Sequence, residues 1–132
     1  TQEVFAKDVM ADLTYALKSV VNGGTGSAAL ALGRPAAGKT GTSQSNASAW
    51  FAAYTPQLSA SVAFFRDSAS ESLNGIGGLT SVTGGTFPAR IWTAFMKGAL
   101  KGEPVMTFPA PSNIGGLEPI EMTSGGVQVR ED

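Results

Sequence analysis

The sequence contains no cysteine and no histidine in its 132 residues. Without cysteine there is no disulfide, no thiol nucleophile and no thiolate-ligated zinc. The compartment stays open, because a cysteine-free chain suits any redox environment. Without histidine, the commonest general base and metal ligand is gone. Charge is also scarce. Only 14% of residues are charged and the net charge is −1, which argues against a nucleic-acid surface and against a polybasic membrane patch. No apolar run approaches the roughly 20 residues that cross a bilayer. Thr1-Gln2-Glu3-Val4 offers neither an initiator methionine nor a basic segment ahead of an apolar one, so it is not a signal peptide. The chain is expected to begin inside a longer protein.

What is present is an apolar fraction of 42% and seventeen glycines. The length suits one domain or part of one, and the glycines predict many loops. No internal repeat is visible. Residues 4–22 predict a helix, with Val9, Leu13, Leu17 and Val20 on one stripe and Met10, Ala16 and Val21 beside it; that stripe is expected to face the core. Asn22-Gly23-Gly24 stops it. Ala28–Leu32 reads as helix or strand. Ala37–Ser43, Ser48–Tyr54 and Ala60–Arg66 predict three strands, close enough in sequence to be antiparallel neighbours. Residues 67–87 form a long Ser/Gly/Thr-rich loop, expected to be a polar rim. Pro88 opens a second helix, with Ile91, Ala94, Phe95 and Ala99 as its expected inner stripe, Trp92 and Met96 beside it, and Gly102 as its stop. Trp50, Phe51, Phe64, Phe65, Trp92 and Phe95 are expected to pack in the core or on the sheet. From Glu103 onward, prolines and paired glycines exclude regular structure, leaving a tail laid over something or disordered. The fold class is α+β: an antiparallel sheet packed with helices, in the order helix, three strands, helix. Two helices can cover one face of such a sheet and leave little for the other, so the chain reads as half of a domain.

Chemistry concentrates in Ala37-Gly38-Lys39-Thr40-Gly41-Thr42-Ser43. Gly33 to Thr40 spells a phosphate-binding P-loop in full, which would make the chain a nucleotide-binding module. That motif needs a helix after it. Gly41-Thr42-Ser43-Gln44-Ser45-Asn46 is a poor helix start. As a strand, the same residues place Lys39 and Gly41 on one side and Thr40 and Thr42 on the other. Gly38 and Gly41 would let a ligand backbone come close, and a peptide could pair with the edge as an added strand.

Lys39-Thr40-Gly41 resembles the Lys-Thr-Gly signature of the serine transpeptidases and β-lactamases. The surrounding text strengthens the likeness. Tyr15-Ala16-Leu17, Val20-Val21-Asn22-Gly23-Gly24-Thr25-Gly26, Ala49-Trp50-Phe51, Tyr54-Thr55-Pro56-Gln57-Leu58 and Ile91-Trp92 with Phe95-Met96 stand in the order found in penicillin-binding proteins. The resemblance is strongest to class A, the bifunctional penicillin-binding proteins. It spans residues 5 to about 111, which gives a transpeptidase portion over 1–111 and a Pro/Gly-rich tail over 112–132. No serine has a lysine three residues on, so the Ser-x-x-Lys nucleophile motif is missing. Ser72-Leu73-Asn74 fits Ser-x-Asn but follows Lys39, whereas the family places that motif before it.

The resemblance implies a peptidoglycan D,D-transpeptidase that works through a serine acyl-enzyme and binds penicillins covalently. Lys39 would line the site and help proton transfer. Thr40 and Thr42 would offer hydroxyls to the carboxylate of a D-Ala-D-Ala peptide or a β-lactam. The Thr42 backbone N–H would supply half of an oxyanion hole, and Gly41 would keep the edge open. The implied partners are the stem peptide, β-lactams, and an N-terminal remainder of the same domain carrying Ser-x-x-Lys and Ser-x-Asn; nucleic acid and cofactors are not implied. The implied location is the outer face of the bacterial plasma membrane, anchored through that remainder. A catalytically silent domain that docks cell-wall peptides, and less so a β-lactamase, stand as alternatives.

Overall fold

The computed structural model describes residues 4–68 and 70–114. Helix α1 spans Lys7–Asn22, strands β1, β2 and β3 span Ala37–Thr42, Ser48–Tyr54 and Ser59–Phe65, and helix α2 spans Phe87–Ala99. The strands form one antiparallel sheet in the order β1-β2-β3. This is the α+β order of helix, three strands, helix. Strand ends fall within one residue of expectation. Helix α1 starts three residues later than the expected residue 4, and α2 ends before Gly102, at Ala99. The ambiguous Ala28–Leu32 patch is a 3-10 turn over Ser27–Leu32, closed by Gly33 in the left-handed conformation at φ 73°, which glycine adopts without a steric cost.

Alternation along β2 buries Ala49, Phe51 and Ala53 on one face. Helix α2 and the Ser27–Leu32 turn cover that face. Trp92, fully buried, meets Phe51 edge to face at 5.4 Å between centroids. Its indole N–H donates to the carbonyls of Ala53 at 3.2 Å and Ala60 at 3.1 Å, a cross-strand pair of β2 and β3. Val21, Ala29, Leu32, Ala89, Met96 and Leu100 complete this core. Helix α1 takes the opposite face at its β1 side, where the Thr14 and Tyr54 hydroxyls bond at 2.8 Å. Among the described residues nothing covers the remainder of that face, and Trp50 and Phe65 are 46% and 65% exposed there.

Both helices turn a different side inward than their apolar spacing suggests. Helix α1 buries Ala11, Thr14 and Val21, while Val9 and Leu13 face outward. Helix α2 buries Pro88, Ala89, Trp92, Thr93 and Met96, while Ile91 and Phe95 are 45% and 55% exposed. The reason is geometric. Each helix is apolar on more than one side, and small residues such as Ala11 and Ala89 allow the close approach to the sheet that a Leu or Phe stripe would not.

The long loop is not a simple polar rim. Leu73 and Val82 are fully buried and pack with Ala49 in a second cluster, joined by Phe64, Ile76, Leu79 and Phe87. Asn46 ties the loop to the β1–β2 turn: its amide donates to Asn74 Oδ1 and Ser81 Oγ, both at 2.7 Å, and its carbonyl accepts from the Leu73 N–H. The tail through Ile114 has no regular structure and lies as a strap. Arg34 donates to the carbonyls of Leu100, Glu103 and Pro104, Phe108 meets Tyr54 edge to face, and the N–H groups of Ser112, Asn113 and Ile114 converge on the Asp12 carboxylate. Gly125-Gly126 and the rest of the expected 112–132 tail beyond Ile114 lie outside the described residues.

Candidate functional site

Among the described residues β1 and β3 are the two edge strands, and the register of β1 with β2 decides what its edge presents. Lys39 stands opposite Ala52 and Gly41 opposite Trp50. One step further along, the Ser43 N–H donates to the Ser48 carbonyl at 2.9 Å. Hydrogen-bonded pairs alternate with non-bonded pairs in an antiparallel ladder. The odd-numbered residues of β1 therefore bond inward to β2, and the N–H and C=O groups of Thr40 and Thr42 turn outward. The strand geometry also overturns the P-loop reading, since Lys39 and Thr40 lie within β1 and only a short 3-10 turn, Gln44–Asn46, follows.

Lys39 projects from the face that carries Trp50 and Ala52. Its Nζ curls over the free edge and donates to the Thr40 carbonyl at 3.0 Å. No bulge interrupts the β1–β2 register, so the length of the lysine stem, not a kink, brings the cation to the Thr40 carbonyl. Behind Lys39 an open groove of about 500 Å³ runs under α1, lined by Leu17, Ala52, Tyr54 and Ser61 among others.

The threonine hydroxyls lie on the α2 side of the same edge, and each has a partner. Thr40 Oγ1 meets Thr25 Oγ1 at 2.6 Å. Thr42 Oγ1 accepts from the Gly84 N–H at 3.3 Å. Glycines make these approaches possible. A Cβ on Gly84 would strike the Trp50 carbonyl oxygen and approach the Gly41 nitrogen and oxygen to 2.9 Å. One on Gly85 would strike the Thr25 carbonyl oxygen, and one on Gly26 would come within 2.9 Å of the Phe51 ring. Gly38, expected to admit a ligand, is instead buried, and a Cβ there would collide with Ala53; its small size serves strand packing. At Gly41 the nearest obstacle is Trp50 Cβ at 3.4 Å, so that position is the more open one.

The structure thus brings together Lys39, Thr40, Gly41 and Thr42 on one free edge. Sequence reasoning singled out these four and missed Thr25 and Gly84, whose distance along the chain hid their contact with β1. Ser72, the chance Ser-x-Asn match, lies in the loop, where its hydroxyl accepts the Asn74 N–H. Among the described residues no cluster of acidic side chains could hold a metal ion, and no helix is long and apolar enough to cross a membrane.

The comparisons with known proteins bear on the family and the fold. The family model described as penicillin binding protein transpeptidase domain matches residues 1–74. Penicillin-binding protein 1A of Mycobacterium tuberculosis is 42% identical over 92 residues, which is 66% of this chain and 11% of that protein. Penicillin-binding protein 1A of Mycolicibacterium smegmatis is 38% identical over 120 residues, 87% of this chain and 15% of that protein. The chain therefore spans only a small part of these relatives' length. The solved structure of the penicillin-binding protein PonA1 from Mycobacterium tuberculosis superposes with a TM-score of 0.74 at 35% identity, covering 95% of this chain and 33% of that one. A second PonA1 structure, in complex with penicillin V, gives the same TM-score at 37% identity, over 83% of this chain and 30% of that one. The chain belongs to the penicillin-binding protein transpeptidase domain family, corresponding to a part of that domain in class A proteins of the 1A type.

Proposed function

We propose that this chain supplies the Lys-Thr-Gly wall of a D,D-transpeptidase that cross-links peptidoglycan stem peptides and is acylated by penicillins. The observation that carries the reading is the outer edge of β1, which carries the Lys39 ammonium at the Thr40 carbonyl and the outward N–H of Thr42, with the Thr40 and Thr42 hydroxyls on the α2 side of the same strand. The nucleophilic serine, its lysine and the Ser-x-Asn motif belong to another segment of the domain. Exposed apolar residues on both helices, Val9, Leu13, Ile91 and Phe95, and the Trp50–Phe65 face are the seats for that segment. The PonA1 chain, of which this chain covers 33%, has ample room for it.

In the reaction, the serine attacks the penultimate D-Ala carbonyl and the displaced electron pair moves onto the carbonyl oxygen. The outward Thr42 N–H donates to that oxyanion, together with a donor from the serine's own segment. Collapse of the intermediate expels the terminal D-Ala, whose amine takes up the proton given up by the serine hydroxyl, and leaves an acyl-enzyme. A stem-peptide amine then takes the acyl group, and its proton returns to the serine oxygen as the ester bond breaks. Lys39 raises the positive potential around the carboxylate of the donor and supports proton transfer near the serine. A class A parent would add a glycosyltransferase domain and a membrane anchor, placing the site outside the plasma membrane.

The test uses the complete protein and a fluorescent penicillin. The expected result is a covalent label on a serine outside these 132 residues, with Lys39→Ala lowering the acylation rate about a hundredfold. Unchanged acylation in that variant would remove Lys39 from the site. Absence of any label on the wild type would sink the proposal, and a folded, unlabelled protein that still binds stem peptide would favour a silent docking domain.

A further inference from the structure

We infer that Thr25 is a positioning residue for the donor carboxylate, fixing the Thr40 hydroxyl as a hydrogen-bond donor; this rests on the transpeptidase reading above. Thr25 lies in the turn after α1, fifteen residues before Thr40. Their hydroxyl oxygens are 2.6 Å apart, at the short end for an O–H···O bond.

A threonine hydroxyl carries one proton and two lone pairs. Two hydroxyls in contact place one of their two protons between them and leave one free to donate outward. Either hydroxyl can donate within the pair; an anionic acceptor beside Thr40 selects the arrangement in which Thr25 donates to Thr40 and the Thr40 proton goes to the anion. The Gly84 N–H does the same for Thr42 by occupying one of its lone pairs. Each β1 hydroxyl thereby has one lone pair occupied and its own proton available, which suits an anionic acceptor such as a carboxylate. A hydroxyl without such a partner would rotate freely and lose that bias.

The turn holding Thr25 is built for a fixed position. The Gly26 N–H donates to the Val20 carbonyl at 2.9 Å, ending α1. Gly24 abuts Val20, Gly26 abuts Phe51, and Gly85 abuts the Thr25 carbonyl at distances that leave no room for a Cβ. Three chain segments, the turn after α1, the substrate strand and the start of α2, are therefore locked at one junction, and Thr25 is the side chain that junction aims at Thr40.

The test measures penicillin acylation kinetics of the complete protein for Thr25→Val, Thr25→Ser, Thr40→Val and the Thr25→Val/Thr40→Val pair. Thr25→Val, which keeps shape and removes the hydroxyl, is expected to lower the second-order acylation constant about fivefold to twentyfold, with Thr25→Ser within about threefold of wild type. The double variant should lose no more than Thr40→Val alone, because Thr25 acts through Thr40. Acylation by Thr25→Val within about twofold of wild type, equal losses in Thr25→Val and Thr25→Ser, or losses that multiply in the double variant would each overturn the inference. A wild type that is not acylated at all would overturn the transpeptidase reading itself, which separates the two failures.

Discussion

Gly84→Ala tests how the start of α2 supports strand β1. Gly84 is buried beneath β1. An added methyl group would run into the Trp50 carbonyl oxygen and lie 2.9 Å from both the nitrogen and the oxygen of Gly41. All three obstacles are backbone atoms of a paired antiparallel ladder, so none can rotate aside as a side chain would. Either the Thr83–Thr86 turn moves away from the sheet or β1 shifts on β2. Forcing a carbon into a packed site of this kind costs about 1–3 kcal/mol. The same movement breaks the 3.3 Å bond from the Gly84 N–H to Thr42 Oγ1, a further loss of about 1 kcal/mol. Together these predict a destabilisation of about 2–4 kcal/mol and a lower melting temperature by several degrees. Because the shift acts on Thr42, penicillin acylation should fall by more than about tenfold even well below the melting temperature, where the domain remains folded. Thermal unfolding followed by tryptophan fluorescence and acylation kinetics on the complete protein read the two effects separately. A Gly84→Ala variant with an unchanged melting temperature and an unchanged acylation rate would refute the claim that this turn braces β1.

Trp92→Phe should cost about 2–4 kcal/mol, because it empties part of the core and leaves the Ala53 and Ala60 carbonyls without their shared donor; a denaturant midpoint equal to wild type would contradict it. The strap predicts an acid-sensitive contact. The backbone N–H of Ile114, with those of Asn113 and Ser112, holds the Asp12 carboxyl below its ordinary value. The strap contact is therefore fully present above the usual carboxylate range and is lost as pH falls through the lowered value. Pepsin cleavage of the strap should rise faster in wild type than in Asp12→Asn as pH falls below the ordinary carboxylate range, and equal profiles would show that Asp12 does not hold it.

Much of this fold was legible because local physics set it. The aromatic content of residues 48–54 and 60–65 marked strands, and the short connections between them made antiparallel neighbours unavoidable. Proline at position 88 marked the start of α2 to within a residue. The helix faces were not legible. Ile91 and Phe95, or Val9 and Leu13, are as apolar as a core stripe, and periodicity cannot say which of two apolar sides meets the sheet. Leu73 and Val82 were hidden for a related reason: each is an isolated apolar residue in a polar loop, and only the tertiary fold brings them under Ala49.

The candidate site divides the same way. Lys39, Thr40, Gly41 and Thr42 were readable because four consecutive residues carry the chemistry, and strand alternation separates their side chains. The sequence by itself determined that these groups occur together on a strand, because spacing along a chain survives any fold. Only the tertiary structure decided that β1 is an edge, that its even-numbered residues turn their backbone outward, and that Thr25 and Gly84 hold the two hydroxyls. Those contacts join positions fifteen and forty-two residues apart, and no local propensity encodes a meeting at that distance; it exists because the core under Phe51 and Trp92 pulls the turn after α1 and the start of α2 onto the same strand.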